Sequence, residues 1–286
     1  MSKIWLITGA GRGLGRSILE AALAAGNKVV ATARDPERLA DLKQLYGDRL
    51  LNPALDVTNP AMARRAVDVA VAAYGRLDVL VNNAGFGHLT PFEQTEEEDF
   101  RSQVETNFFG VVNLIRAALP VMRSQRSGHI INISSVGGRV ATPGLSAYQA
   151  AKWAVGGFTE VLAQEVAPFG VKVIALEPGG MRTDWGYTAR DAASDILPDY
   201  EPSVGAVLKR MKAYVGNEVG DPEKIARLVV DISTRETLPA HLLLGSDALH
   251  VYRQAEAARQ RAAADWAEVS ASTDFDGAEL PALLRA

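Results

Sequence analysis

The sequence predicts a doubly wound α/β fold: a seven-stranded parallel sheet, helices on both faces, and a C-terminal helical extension. Short apolar segments alternate with longer amphipathic ones, and a glycine-rich turn follows the first apolar segment directly. Strands apolar along their whole length belong in a parallel sheet covered on both sides. Repeated strand, helix, strand units with right-handed crossovers then give the doubly wound arrangement.

The predicted strands, in order, are Ile4–Thr8, Lys28–Ala33, Leu50–Leu55, Val79–Asn82, His129–Ser134, Val171–Glu177 and His241–Leu244. Between them run helical segments at Leu14–Ala25, Pro36–Leu45, Pro60–Tyr74, Glu97–Arg123, Ser146–Pro168 and Pro222–Ser233. No repeat or linker divides residues 1–245, which are expected to form one domain. Residues 182–220 break the rhythm, being polar and irregular with one short helix near Val204–Tyr214. A long loop of this kind is expected to act as a substrate loop or lid. After Gly245, Ser246 is placed to cap a helix over Ala248–Glu268, and Ser270–Glu279 reads as a polar tail.

Composition excludes several chemistries. With 286 residues, 48% of them hydrophobic, the chain can bury a large core without staples. It has no cysteine, so disulfides, thiolate metal sites and cysteine nucleophiles are absent. Its four histidines are scattered without ligand spacing, which predicts no metal site. Net charge is −4 and no basic run stands out, so no nucleic-acid partner is expected. Apolar runs are far too short for a membrane span. The first strand begins within three residues of Met1, leaving no room for a signal peptide. The expectation is a soluble cytoplasmic protein.

The glycine turn reads Thr8-Gly9-Ala10-Gly11-Arg12-Gly13-Leu14-Gly15. Glycines let the backbone turn tightly and approach a pyrophosphate, which a helix N-terminus then stabilises. The strict Gly-x-Gly-x-x-Gly fingerprint fits no register here, but Thr-Gly-x-x-x-Gly-x-Gly does. Its place after the first strand makes it a Rossmann-type dinucleotide loop through Gly9, Gly11, Arg12, Gly13, Leu14 and Gly15. The second strand indicates which dinucleotide. An acidic residue at its end holds a ribose 2′-hydroxyl in NAD sites, yet Ala33 and then Arg34 stand here. An arginine suits a 2′-phosphate, and Arg12 could approach the same group. NADP(H) is therefore favoured over NAD(H). The alternative leaves both arginines solvated, with Asp35 pairing one of them.

Tyr148 and Lys152 lie one helical turn apart, thirteen residues beyond Ser135. Positions i and i+4 share a helix face, which brings an ammonium close to a phenol. A nearby positive charge favours the phenolate, so Lys152 is expected to lower the tyrosine pKa from about 10.

Together these residues resemble the short-chain dehydrogenase/reductase family over residues 3 to 245, with a softer likeness to its hydroxysteroid-dehydrogenase-like and carbonyl-reductase-like branches in Ala31-Thr32-Ala33-Arg34. The loop Thr8–Gly15 looks like its cofactor loop, and Asp56-Val57 resembles the pair contacting adenine. Asn82-Asn83-Ala84-Gly85 looks like the motif ending the fourth strand. Ser135, Tyr148 and Lys152 match the catalytic serine, tyrosine and lysine, and Asn107 matches the active-site asparagine. Pro178-Gly179 with Thr183 resembles the segment that meets the nicotinamide. Asn83 reads as a structural amide, with Ala84 and Gly85 giving the cofactor a close approach. Asp56 reads either as an adenine contact or as a strand end that caps the next helix. Asn107 is either a satisfied core asparagine or the holder of a proton-relay water. The spacing selects Ser135 over its neighbour Ser134.

The resemblance implies reversible hydride transfer between a nicotinamide and a carbonyl, with Tyr148 exchanging the proton. Lys152 would hold the nicotinamide ribose, and Ser135 the substrate oxygen. Phe86, His88, Val136, Trp185 and Tyr187 are expected at the substrate end, favouring a hydrophobic or ring-bearing carbonyl or alcohol. Trp185 and the loop after it are the expected lid. Apolar residues such as Phe158 and Val161 on the two long helices predict a homodimer or homotetramer. A non-catalytic NADP(H) sensor and a sugar-nucleotide epimerase or dehydratase are the rival readings.

Overall fold

The computed structural model describes residues 2–183, 196–279 and 281. Seven strands, all parallel, form one sheet in the order β3-β2-β1-β4-β5-β6-β7. They are β1 (Ile4–Ile7), β2 (Lys28–Ala31), β3 (Leu50–Leu51), β4 (Val79–Asn82), β5 (Gly128–Ile133), β6 (Val171–Pro178) and β7 (His241–Leu244). The predicted third strand runs to Leu55, but Pro53 has no amide hydrogen for the ladder, so regular pairing stops at Leu51. Pairing resumes only as an isolated bridge between Ala33 and Ala54.

Side chains alternate across each strand, and this splits the core in two. Trp5 and Ile7 of β1 pack with α1 (Gly13–Ala24), through Ile18 and Leu19 among others. Leu6 points the other way, toward α3 (Pro60–Tyr74) and its Ala66 and Val67. Between β2 and α3 lies α2 (Ala40–Tyr46).

The long helix predicted over Glu97–Arg123 is interrupted. It consists of α4 (Glu97–Val104), a π-helical turn (Glu105–Phe109) and α5 (Gly110–Gln125). Next comes α6 (Ser146–Val166), whose Val155 and Leu162 close the second half of the core. Phe158 on α6 is not the exposed residue expected. It is partly buried and meets Phe108 edge-on at 6.1 Å, whereas Val161 is exposed.

The irregular segment after β6 leaves and returns at one point. Gly220 N donates to Gly180 O at 3.0 Å, and Arg182 Nε donates to Glu218 O at 2.9 Å. Within it, α7 (Ala206–Tyr214) is held down by Val204 and Val207 packing with Leu89 and Leu145. The chain then forms α8 (Pro222–Ile232), which packs on α1 through the first half of the core.

The C-terminal extension forms α9 (Ser246–Asp265) and α10 (Ala267–Ala271), divided at Trp266 rather than continuous to Glu268. Ser246 does not cap α9. It is the first helical residue, and Gly245 occupies the cap position without a side chain to contribute. Asp247 reaches back instead, its Oδ2 accepting from Gly180 N at 2.8 Å. Further along, Tyr252 lies under the Arg139 guanidinium, 5.1 Å from ring centroid to Cζ. Arg259 donates to Arg139 O at 2.9 Å and sits over Trp153 of α6. These contacts tie α9 to the body of the fold. The expected result of Arg259→Ala is amide exchange in α9 that is faster by roughly tenfold or more, with sheet protection retained. Hydrogen-exchange mass spectrometry reads both quantities.

Candidate active site

Sheet order reverses between β1 and β4, and ligands of open α/β sheets bind at the carboxyl ends of the strands flanking such a point. A cavity of about 1150 Å³ opens there. Its floor is made by a clasp between the two strand ends. Thr8 Oγ1 accepts from Asn83 N and Ala84 N, each at 3.0 Å. Asn83 Nδ2 returns bonds to Thr8 O at 3.0 Å and Gly9 O at 3.2 Å.

The clasp requires glycine. A Cβ at Gly15 would lie 2.3 Å from Gly9 O, and one at Gly9 would lie 2.9 Å from Ala84 Cα. Gly9 and Gly13 also adopt φ of +64° and +54°, which side-chain-bearing residues rarely do. α1 begins at Gly13 and Arg12 supplies no side-chain cap, so its first amides face the cavity. An uncapped helix start of this kind favours an anion. Thr183 approaches the same place, its Cβ 3.7 Å from where a Gly13 Cβ would stand.

Arg12 and Arg34 are exposed at the cavity rim. Among the described residues Asp35 pairs with neither. It caps the short turn Pro36–Leu39 by accepting from Glu37 N and lies 3.7 Å from Arg38 Nε. The alternative pairing expected for Asp35 is thus replaced by one with Arg38, a rim residue that sequence reading missed. Asp56 and Val57 line the cavity, yet Asp56 does not cap α3. It accepts from Thr58 N at 3.0 Å, and the cap is Asn59.

At the other end of the cavity stand Ser135, Tyr148, Lys152 and Asn107, with Gly85, Pro178 and Gly179 beside them. Ser135 closes β5 and caps the turn Val136–Gly138, its Oγ accepting from Gly137 N at 3.0 Å. The same hydroxyl hydrogen-bonds Tyr148. Ser134 is indeed the structural neighbour, since its Oγ donates to Lys152 O at 3.3 Å. Asn107 sits in the π-helical turn, Nδ2 donating to Phe86 O and Gln103 O, both at 2.7 Å. Its Oδ1 is buried without a partner among the described residues and faces Gly85, where a Cβ would come within 2.5 Å. Asn107 is therefore only half satisfied, with an acceptor left over.

Tyr148 and Lys152 are both buried, and burial sets the pKa of each. The expectation was a phenol made acidic by the ammonium. Desolvation instead pushes Tyr148 up to about 12, with the Ser135 bond opposing it. Burial pulls Lys152 down to about 8. Nζ lies over the tyrosine ring, 5.6 Å from its centroid, and donates to Ile133 O at 2.8 Å. It serves the strand carbonyl rather than the phenol oxygen.

Of the expected substrate residues, Phe86 and Val136 line the cavity. His88 does not. Its Nδ1 bonds Asp99 Oδ1 at 2.8 Å and its ring rests 5.2 Å from Phe86. Trp185 and Tyr187 lie outside the described residues. Sequence reading missed Gln149, Met211, Tyr214 and Glu218, which also line the cavity. Three of these come from the irregular segment, where no motif gives a signal. Tyr214 donates to Asp247 Oδ2 at 3.0 Å, so it joins α7 to the start of α9. Its pKa is pushed up to about 12, first by burial and then by the Asp247 carboxylate.

The model of the short chain dehydrogenases matches residues 3–193. The chain belongs to that family. This short-chain dehydrogenase/reductase is 46% identical over 271 residues to oxidoreductase BOA17 of Botryotinia fuckeliana, covering 94% of this chain and 98% of that protein. It superposes with a TM-score of 0.87 on a short-chain dehydrogenase from Streptomyces avermitilis, at 41% identity over 96% of this chain and 100% of the other. A 3-ketoacyl-(acyl-carrier-protein) reductase from Brucella melitensis, solved with NADH, matches with a TM-score of 0.73 at 27% identity, covering 85% of this chain and 96% of that one. The protein is an oxidoreductase of this family, whose members bind nicotinamide cofactors. No described helix is long and apolar enough to cross a membrane.

The glycine cradle, the bare helix start and the orphaned Asn107 acceptor fit a dinucleotide. Lys152 also gives the site a pH signature. Below about 8 it is charged both folded and unfolded, so its burial penalty is fully present. Above that value the folded state releases the proton while the unfolded state keeps it until about 10.5, and the penalty shrinks. Wild type should therefore gain stability relative to Lys152→Met as pH rises from about 7 to about 10. Paired thermal melts across that range check this.

Proposed function

We propose that the protein interconverts a ketone or aldehyde with its alcohol, using NADP(H) in preference to NAD(H), on a hydrophobic or ring-bearing substrate. The observation that carries this reading is the convergence of Tyr148, Ser135, Lys152 and Asn107 at one end of a cavity whose other end is the glycine cradle. A bound nicotinamide would supply or accept the hydride.

The protein's own part is positioning and proton transfer. A phenol near 12 keeps its proton at neutral pH and can deliver it to a carbonyl oxygen. Ser135, bonded to Tyr148, would hold the substrate oxygen and stabilise its developing negative charge. Lys152, still largely cationic at neutral pH, would hold the ribose hydroxyls. The free Oδ1 of Asn107 would accept from a water that returns protons to Tyr148.

Cofactor preference rests on Arg34, with Arg12 and Arg38 on the same rim. All three carry guanidinium groups, and forked cations suit a phosphate. The NADH bound by the Brucella relative belongs to that protein; in this chain the side chain at position 34 is the deciding group. The exposed Val161 and Phe109 support assembly into a homodimer or homotetramer.

Tyr148→Phe should bind NADPH nearly as wild type does and lose turnover by about 10²- to 10⁴-fold. NADPH titration by fluorescence and absorbance assays on ketones, aldehydes and alcohols measure the two. Full turnover in the variant would defeat the proton-transfer role. Cofactor binding without turnover by wild type on every substrate class would point to a sensor. Arg34→Asp should shift the NADPH-to-NADH ratio of kcat/KM by roughly 10- to 100-fold toward NADH. An unchanged ratio would remove the basis for NADP(H).

A further inference from the structure

Gln149 follows Tyr148 on α6 and is only 8% exposed, yet it lines the cavity. One residue advances a helix by about 100°, which turns Gln149 away from Tyr148 and toward the loop between Ser135 and Leu145. There its Oε1 accepts from Thr142 N at 2.8 Å. A backbone N–H only donates, so this bond fixes which end of the amide is oxygen. Nε2 must then occupy the opposite side, and its two N–H groups have no partner among the described residues. Nε2 and Ser135 Oγ lie 3.1 and 3.3 Å from one point beside Gly137, where a Cβ would stand. The two groups therefore lie near one another on the same side of Gly137, and both line the cavity. Nε2 is open to the cavity, so its donors can meet a ligand oxygen in place of solvent.

We propose that Gln149 is a specificity-determining residue whose Nε2 donates to a second oxygen of the substrate, close to the reacting carbonyl. This rests on the carbonyl reading of the cavity and narrows it. The preferred substrate class is a β-keto ester or similar carbonyl compound carrying a neighbouring acceptor. Its remaining body is apolar, matching Val136, Val140, Leu145, Met211 and Val215 around the same end. Ser135 and Tyr148 take the reacting oxygen, and Gln149 takes the one beside it. A site built to hydrogen-bond a second group discriminates through that group more strongly than an apolar wall discriminates by size.

The test compares two substrates of equal length: an ethyl β-keto ester of a medium-chain acid, and the mono-ketone in which methylenes replace its ester oxygens. The quantity read is the ratio of their kcat/KM values with NADPH and with NADH, so a general loss of activity cancels. Gln149→Glu keeps an acceptor for Thr142 N and replaces the donors with a carboxylate. Gln149→Leu removes both. In each variant the ratio should fall at least about tenfold, chiefly through a higher KM for the keto ester. If either variant keeps the wild-type ratio, Gln149 does not read the second oxygen and the proposal is overturned. A wild type inactive on both substrates with both cofactors would overturn the carbonyl reading itself, and this inference with it.

Discussion

The clasp between Thr8 and Asn83 holds together two strands that diverge. At the switch point the chain leaves β1 and β4 toward opposite faces of the sheet, which opens a crevice and leaves backbone groups unpaired on both sides. One hydroxyl and one carboxamide satisfy four of those groups across the gap. That closeness is why Gly9 and Gly15 cannot carry side chains, and why the glycine turn presents its amides to the cavity. It also sets where Ala84 and Gly85 run, hence how near Asn107 and Lys152 come to the crevice. Cradle and proton-handling residues are thus positioned by the same few bonds.

At the far end of the cavity, desolvation outweighs the one hydrogen bond, from Ser135, that opposes it. Tyr148 and Lys152 are adjacent, but each is removed from water, and removal disfavours the phenolate and the ammonium alike. A pair exposed on a helix would have shown the attraction; a buried pair shows the penalty. The result is a neutral acid and a weakened cation, both held ready for a cofactor whose own charges alter the balance. Such a site is costly to fold, and the cost falls on groups proposed to perform the reaction.

Much of this architecture was legible in the sequence, because the signals were local. Apolar runs gave the strands, and the Thr-Gly turn, the Tyr148 and Lys152 pair and Asn83 stand where their spacing put them. Other features needed tertiary context. Pro53 shortened β3, and the π-helical turn divided a helix that periodicity joins. His88 turned to Asp99, a partner eleven residues away, instead of the cavity. Asp35 found Arg38 because the turn between them brings i and i+3 together. Burial reversed the expected direction for Tyr148, since spacing reports neighbours but not the loss of solvent. Tyr214 carries no motif, and only the folding of a distant segment brings it to the cavity wall, while Gln149, beside Tyr148, shows its partner Thr142 only once the preceding loop has folded back.

The wide turn at Glu105–Phe109 binds the two halves of its helix into a single fate. A π turn accommodates an extra residue, so everything downstream is rotated by about 100° from where a regular spiral would carry it. Leu114, Ile115 and Ala118 reach the interior only in that rotated phase. Deleting one position to straighten the spiral would withdraw the Asn107 carboxamide from the crevice and swing those three residues off the sheet together. Chain length at this point is accordingly under a double constraint, imposed at once by the crevice and by the packing beneath it.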